Sequence, residues 1–182
     1  MASGIQYTSL DRYVNSYCEY IIRQARNRLS EKDVSGTLSS SLSFQIKKKK
    51  NKWTLEFSGA KYADYVNKGV AGTEGTRTYI DITGKRKRTK YKFRKGKENA
   101  PPPSKLRDWA KARGLKGRDK LGRYITDESF GFALSRGIQK AGTPAASFFT
   151  QPISWSFNVF KQKIQQHIKI DIQEYIKQIK FD

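Results

Sequence analysis

A single cysteine and a single histidine in 182 residues leave little from which to build thiol or imidazole chemistry. Cys18 has no partner for a disulfide within the chain, and with His167 as the only imidazole no Cys/His zinc site can be assembled. Cys18 falls among Val14, Tyr17 and Ile21 at helical spacing, which predicts a buried structural thiol and fits a reducing compartment. His167 lies at the edge of an apolar stripe, the position of a partly buried structural residue rather than of a general base. The 16 acids are scattered, whereas a metal-dependent nuclease needs converging carboxylates around its cations. No acid is followed two positions later by lysine, and neither GxxxxGK[ST] nor GxGxxG occurs, so the commonest phosphate-loop signals are missing. No apolar run approaches ~18 residues and no signal-peptide core follows Met1, so neither a membrane span nor an export signal is expected. These absences predict a protein that is not an enzyme and that uses no metal and no cofactor.

What is abundant is positive charge. The chain has 37 Lys and Arg against 16 Asp and Glu, a formal +21. Residues 85 to 123 alone hold 17 of those cations against Glu98, Asp108 and Asp119. Self-repulsion on this scale implies a polyanionic or acidic partner, nucleic acid or an acidic protein surface; simple solvation of a flexible excursion is the alternative. Hydrophobic content is 36%, but 13% aromatic residues argue against disorder, because each ring buries a large area. A chain of this length buries roughly 70% of its unfolded surface as one domain. The expectation is a single domain, 1–182, with a basic excursion over about 76–123.

The organising stretch is 53–69. Trp53, Leu55 and Phe57 alternate with Thr54 and Glu56 as in a half-buried strand, and then Tyr62, Tyr65 and Val66 take up helical spacing until Gly69. Upstream, Leu10, Val14, Tyr17, Ile21, Ala25 and Leu29 predict an amphipathic helix ending near Ser30, opened by a Thr8/Asp11 capping box. Leu42, Phe44 and Ile46 predict a strand that pairs with the one from Trp53 across a loop of residues 47–52. That loop carries Lys47, Lys48, Lys49 and Lys50, either a solvated hairpin tip or an exposed basic run that meets a partner. A second hairpin is predicted, roughly 76–83 with 88–94, protruding and strongly basic. Lys85, Arg86, Lys87, Arg88, Lys90, Tyr91, Lys92, Phe93 and Arg94 are its candidate contacts for a partner or nucleic acid, charge tracking phosphates and rings stacking on bases. Any exposed basic strand has the same appearance.

Past Pro101-Pro102-Pro103, Ser104 is expected to cap a short helix with Leu106, Trp109 and Ala110 on one face, followed by a basic loop, 115–123. A further helix opens at Thr126 or Asp127, with Phe130, Leu134, Ile138 and Ala141 as its stripe. The last helix is the longest, about 28 residues or roughly 42 Å at 1.5 Å per residue. Phe157, Phe160, Ile164, Ile168, Ile172 and Tyr175 lie on its apolar face, and its excess length points to a subunit interface in a homo-oligomer. Alternation of Ile168, Ile170 and Ile172 leaves a strand there as the other reading.

The order of these landmarks resembles the tail-completion or head-to-tail joining (neck) proteins of long-tailed bacteriophages. The resemblance rests on the first helix, Ser35-Gly36-Thr37-Leu38-Ser39-Ser40-Ser41-Leu42, and the strand running into Tyr62-Ala63-Asp64-Tyr65-Val66-Asn67-Lys68-Gly69. It continues through Pro101-Pro102, the helix around Trp109, Gly142-Thr143-Pro144-Ala145 with Phe148 and Phe149, and the closing amphipathic helix. The chain departs from the family pattern at Asn67-Lys68, where an acid followed by a small residue or Gly is usual, and in the basic hairpin. The resemblance implies an α+β fold, a mainly antiparallel β-sheet packed by an N-terminal helix and a long C-terminal helix. It also implies a structural virion protein assembled as a ring of six copies at the neck or top of the tail, formed in the host cytoplasm. Its partners would be the connector and tail proteins, with transient DNA contact in the channel and no membrane. A basic nucleic-acid-binding protein is the alternative function.

Overall fold

The computed structural model of the chain describes residues 5–30, 36–49 and 52–178. Its elements in chain order are α1 (Thr8–Leu29), α2 (Thr37–Ser41), β1 (Ser43–Lys49), β2 (Lys52–Ser58), α3 (Ala63–Lys68), β3 (Val70–Ala71), β4 (Thr78–Ile80), β5 (Arg86–Arg88), α4 (Pro103–Ala112), α5 (Asp127–Ala141), β6 (Gly142–Thr143) and α6 (Thr150–Gln178). The fold is α+β, with the strands joined as the pairs β1–β2, β3–β6 and β4–β5. The chain divides into two compact units: unit 1 comprises residues 1–63, 80–85 and 147–182, and unit 2 comprises 64–79 and 86–146.

Unit 1 forms because three amphipathic elements present matching faces. The helical stripe of α1 is buried along its whole length, with Cys18, Ile21, Ala25 and Leu29 fully enclosed. In the antiparallel hairpin β1–β2, Phe44 lies opposite Phe57 and Ile46 opposite Leu55, so one face is apolar. That face packs on Leu10, Val14 and Cys18, and Ile164 and Ile168 of α6 join the same cluster. Phe149 meets the Phe57 ring edge-on at 4.8 Å, and Phe148 is buried beside it. Residues 168–172 are helical, as 3.6-residue packing on α1 requires, so the strand alternative is set aside.

Two expectations about unit 1 are corrected. The lysine run is not a six-residue loop: pairing continues to Lys49 opposite Lys52, leaving two residues between the strands. Cross-strand partners hold these lysines extended, Lys47 bonding Glu56 at 2.7 Å and Lys48 lying 4.9 Å over the Trp53 ring. Nor does a capping box open α1, whose first turn has no side-chain cap of its own. Instead the buried Asp171 of α6 accepts from the N–H groups of Ser9 (2.8 Å) and Leu10 (3.0 Å), and Asp11 pairs with Lys48. A carboxylate carried by a distant helix thus satisfies orphan donors at the helix start.

Unit 2 is held by close backbone approach more than by bulky side chains. β3 pairs antiparallel with β6, and Ala71 also bridges Lys92 in parallel, giving and receiving backbone bonds with Tyr91 and Phe93. This pairing takes Tyr91 and Phe93 out of the predicted second hairpin, which closes sooner, as β4 with β5. The α4–α5 contact is equally tight. The α5 positions buried against it are Gly131 and Ser135, not the bulkier stripe, and Ser135 Oγ donates to the Pro101 carbonyl at 2.6 Å. A Cβ on Gly131 would come within 2.7 Å of the Pro103 carbonyl oxygen, so only glycine permits this approach. Pro103 itself opens α4, without a cap from Ser104. Thr126 does cap α5, accepting from Ser129 N–H. In α3 the residue turned inward is Asn67, while Tyr65, and Tyr62 just before the helix, remain exposed by nearly half.

Candidate interaction surfaces

The basic residues singled out in the sequence fall into two groups. Lys85, Arg86, Lys87 and Arg88, with Lys90, Lys92 and Arg94, are exposed, whereas Tyr91 and Phe93 are half-buried. Tyr91 is held from three sides. Its ring packs 4.3 Å from Tyr65, Lys90 lies over it at 5.2 Å, and its hydroxyl donates to Asp64, which also pairs with Lys68 at 2.8 Å. The hydrogen bond to Asp64 pushes the Tyr91 phenol up to about 12. Burial alone would raise the Asp64 carboxyl, but the hydrogen bonds from Lys68 and Tyr91 and the nearby ammonium charges bring it below its ordinary value. A ring fixed in this way braces the strand and is a poor platform for a stacking base. Lys47 and Lys48 are paired within unit 1, Lys49 is exposed, and Lys50 lies outside the described residues.

Two tips share one turn chemistry that sequence reasoning missed. In Asp81-Ile82-Thr83-Gly84-Lys85 and in Asp119-Lys120-Leu121-Gly122-Arg123, the aspartate carboxylate accepts from the N–H groups two and four residues on, each at 2.9 Å. The glycine N–H returns to the aspartate carbonyl at 3.0 Å in both, and the aspartate N–H closes the base to residue i+4. Gly84 and Gly122 have φ of 83° and 81°, the left-handed region in which a glycine is favoured. The signal in the sequence is Asp, Gly three later, then a cation. In both tips the carboxylate is turned onto the backbone, and an aliphatic side chain is left outside, Ile82 53% exposed and Leu121 77% exposed.

The second surface lies on α6, within unit 1. Of its predicted interface residues, Phe160 stacks on Tyr17 at 3.9 Å, and Ile164 and Ile168 pack on the α1–hairpin core; all three also line an apolar cleft of about 440 Å³. Phe157 and Ile172 are exposed, and Tyr175 is half-buried. Ile176, on the same predicted apolar face, and Trp155 and Val159, which lie off it, are exposed by 52 to 63%. Trp155 and Val159, like Ile172 and Ile176, are four apart, so each couple forms a short apolar stripe. The Arg28 guanidinium covers one side of the Trp155 ring at 4.7 Å.

Among the described residues no three His, Cys, Asp or Glu converge as metal ligands. Burial pushes the Cys18 thiol up to about 11, so it stays protonated and inert at neutral pH. His167 is half-buried, its Nδ1 2.8 Å from Ser9 Oγ and its ring stacked on Tyr13 at 4.7 Å, so it ties α6 to α1. No helix among the described residues is long and apolar enough to cross a membrane. No family model, curated protein or solved structure matches the chain.

Proposed function

We propose that this chain is a structural virion protein of a tailed bacteriophage, a tail-completion or head-to-tail joining component that assembles as a ring and leaves a channel for DNA. The observation that carries this reading is the 29-residue α6, which spends one face on its own core and leaves Trp155, Phe157, Val159, Ile172 and Ile176 to solvent. Isolated exposed aliphatics are ordinary; repeated ones on a single long helix favour burial against another copy. The landmark order described above supplies the identity of the assembly. In this reading the exposed cations of β5 and the following residues dock on an acidic neighbouring ring, because strong phosphate binding along a channel would retard DNA passage.

The test is the mass of the full chain by light scattering across a salt series, alone and mixed with the connector and tail proteins. A discrete multimer, or a ring formed only with those neighbours, is expected, and Trp155→Ser with Val159→Ser should dissociate it. A chain that stays monomeric in every mixture overturns the reading. A monomer that binds DNA tightly, with affinity falling steeply with salt, would favour the second reading, a basic nucleic-acid-binding protein, which the exposed cations of 85–94 support.

A further inference from the structure

The segment 115–123, a basic loop by its sequence, is folded into a narrow finger in unit 2. Arg118 and Tyr124 form an antiparallel bridge, Asp119 N–H bonds the Arg123 carbonyl at 2.8 Å, and Ile125 N–H bonds the Gly117 carbonyl at 3.1 Å. The base is anchored where the buried Gly117 lies against Phe130 and Ile125, leaving no room for a side chain. At the tip, Asp119 accepts from the N–H groups of Leu121 and Arg123 and from Arg123 Nε at 2.9 Å. These bonds, the Arg123 backbone first, hold its carboxyl below the ordinary value, so the finger's one acid stays ionised and faces inward. Arg118 lies 4.2 Å over the Tyr124 ring and donates to the Tyr124 hydroxyl (2.6 Å) and the Gly122 carbonyl (3.1 Å). Two of the five N–H groups of a guanidinium are thereby used for orientation, and the others remain available. Lys116 and Lys120 are exposed, and Leu121 stands at the apex.

We propose that the 117–125 finger is a duplex-DNA contact that enters the minor groove, with Lys116, Arg118 and Lys120 on the bordering phosphates and Leu121 as an apolar wedge against a base step. Three observations select this partner. A lone aliphatic on a two-stranded tip cannot supply the roughly 800 Å² per partner of an ordinary protein interface. The same side chain flanked by cations is the chemistry with which minor-groove proteins unstack a step. Single strands are disfavoured, because the finger's only ring, Tyr124, already has Arg118 on its face. The reach is adequate: four residues from Gly117 to Leu121 span about 13 Å at ~3.3 Å each. The minor groove is only about 7.5 Å deep. With three cations the contact is weak and salt-labile, and it does not depend on whether the chain forms a ring.

The experiment uses the full chain and a 20-base-pair A/T-rich duplex carrying 2-aminopurine, titrated at several salt concentrations. Lys116→Ala with Lys120→Ala should flatten the slope of log K against log salt by about 1.8, at ~0.9 per phosphate contact. Lys105→Ala with Lys111→Ala, the same charge loss on α4, should leave the slope unchanged. Leu121→Ser should abolish the 2-aminopurine fluorescence rise while keeping the slope. The four lysines are exposed and Leu121 is mostly solvated, so folding is not at stake. Equal slope changes from the two lysine pairs, a fluorescence rise that survives Leu121→Ser, or equal binding to polyglutamate would each overturn the proposal.

Discussion

Unit 1 is held together by long apolar side chains and unit 2 by short ones, and their charge follows the same division. Unit 1 encloses Ile21, Ala25 and Leu29 completely and buries Leu10, Val14, Leu38, Leu42 and Phe148. In unit 2 the buried apolar residues among those described are Ala71 and Ala110. Unit 1 carries 17 Lys and Arg against 9 acids in 105 residues, and unit 2 carries 20 against 7 in 77. A segment so rich in cations has few side chains left for a core. It keeps its shape through close approach at Gly131 and through backbone pairing at Ala71 and an aspartate-anchored turn, the last two of which satisfy polar groups. The comparison teaches that a strongly basic unit can hold a defined backbone without a large hydrophobic core beneath it.

The contrast breaks if truncating the core of unit 1 does not cost more than crowding the seam of unit 2. Ile21→Ala is expected to lower stability by about 3 kcal/mol, from lost burial plus the cavity left behind, measured by urea denaturation. Asp171→Ala comes next, at about 2 kcal/mol, since it leaves two N–H groups at the start of α1 without their charged acceptor. Asp171→Asn, which keeps a carbonyl acceptor, should lose less; an equal loss would mean that Asp171 serves by charge alone. Gly131→Val should cost about 1–2 kcal/mol through overpacking of α4 against α5.

Tyr91→Phe has the smallest effect at neutral pH and sharpens the comparison at high pH. The folded phenol titrates above its ordinary value of 10, near 12. An acid raised on folding contributes stability that is fully present below the unfolded value and is lost as pH rises through the folded one. Wild type should therefore lose stability between pH 10 and 12, and Tyr91→Phe should show a shallower decline in an alkaline denaturation series. An identical decline would mean that Asp64 does not hold this phenol.

Much of unit 1 is legible in the amino-acid pattern. The stripe from Leu10 to Leu29 and the alternations of Phe44 with Ile46 and of Trp53, Leu55 and Phe57 each name the face that is buried, because side-chain period is a local property of the chain. The α6 stripe is legible only in part: its inward residues follow the period, but Trp155 and Val159 lie off that face. The twin Asp-x-x-Gly-cation turns are present as a short motif, yet each looks like any polar loop, because nothing in the spacing says that the carboxylate turns onto the backbone.

The sequence by itself determined the helices α1, α4 and α5 and the β1–β2 hairpin, the excess of cations, and the scarcity of thiol and imidazole, because these depend on composition or on neighbours a few residues apart. Only the tertiary structure decided that Asp171 caps a helix 162 residues away, that Ala71 draws Tyr91 and Phe93 out of the second hairpin, and that Gly131 and Ser135 form the α5 seam. Those outcomes depend on which surfaces meet, and a buried donor takes whichever acceptor the packed chain brings to it, whatever its distance in sequence.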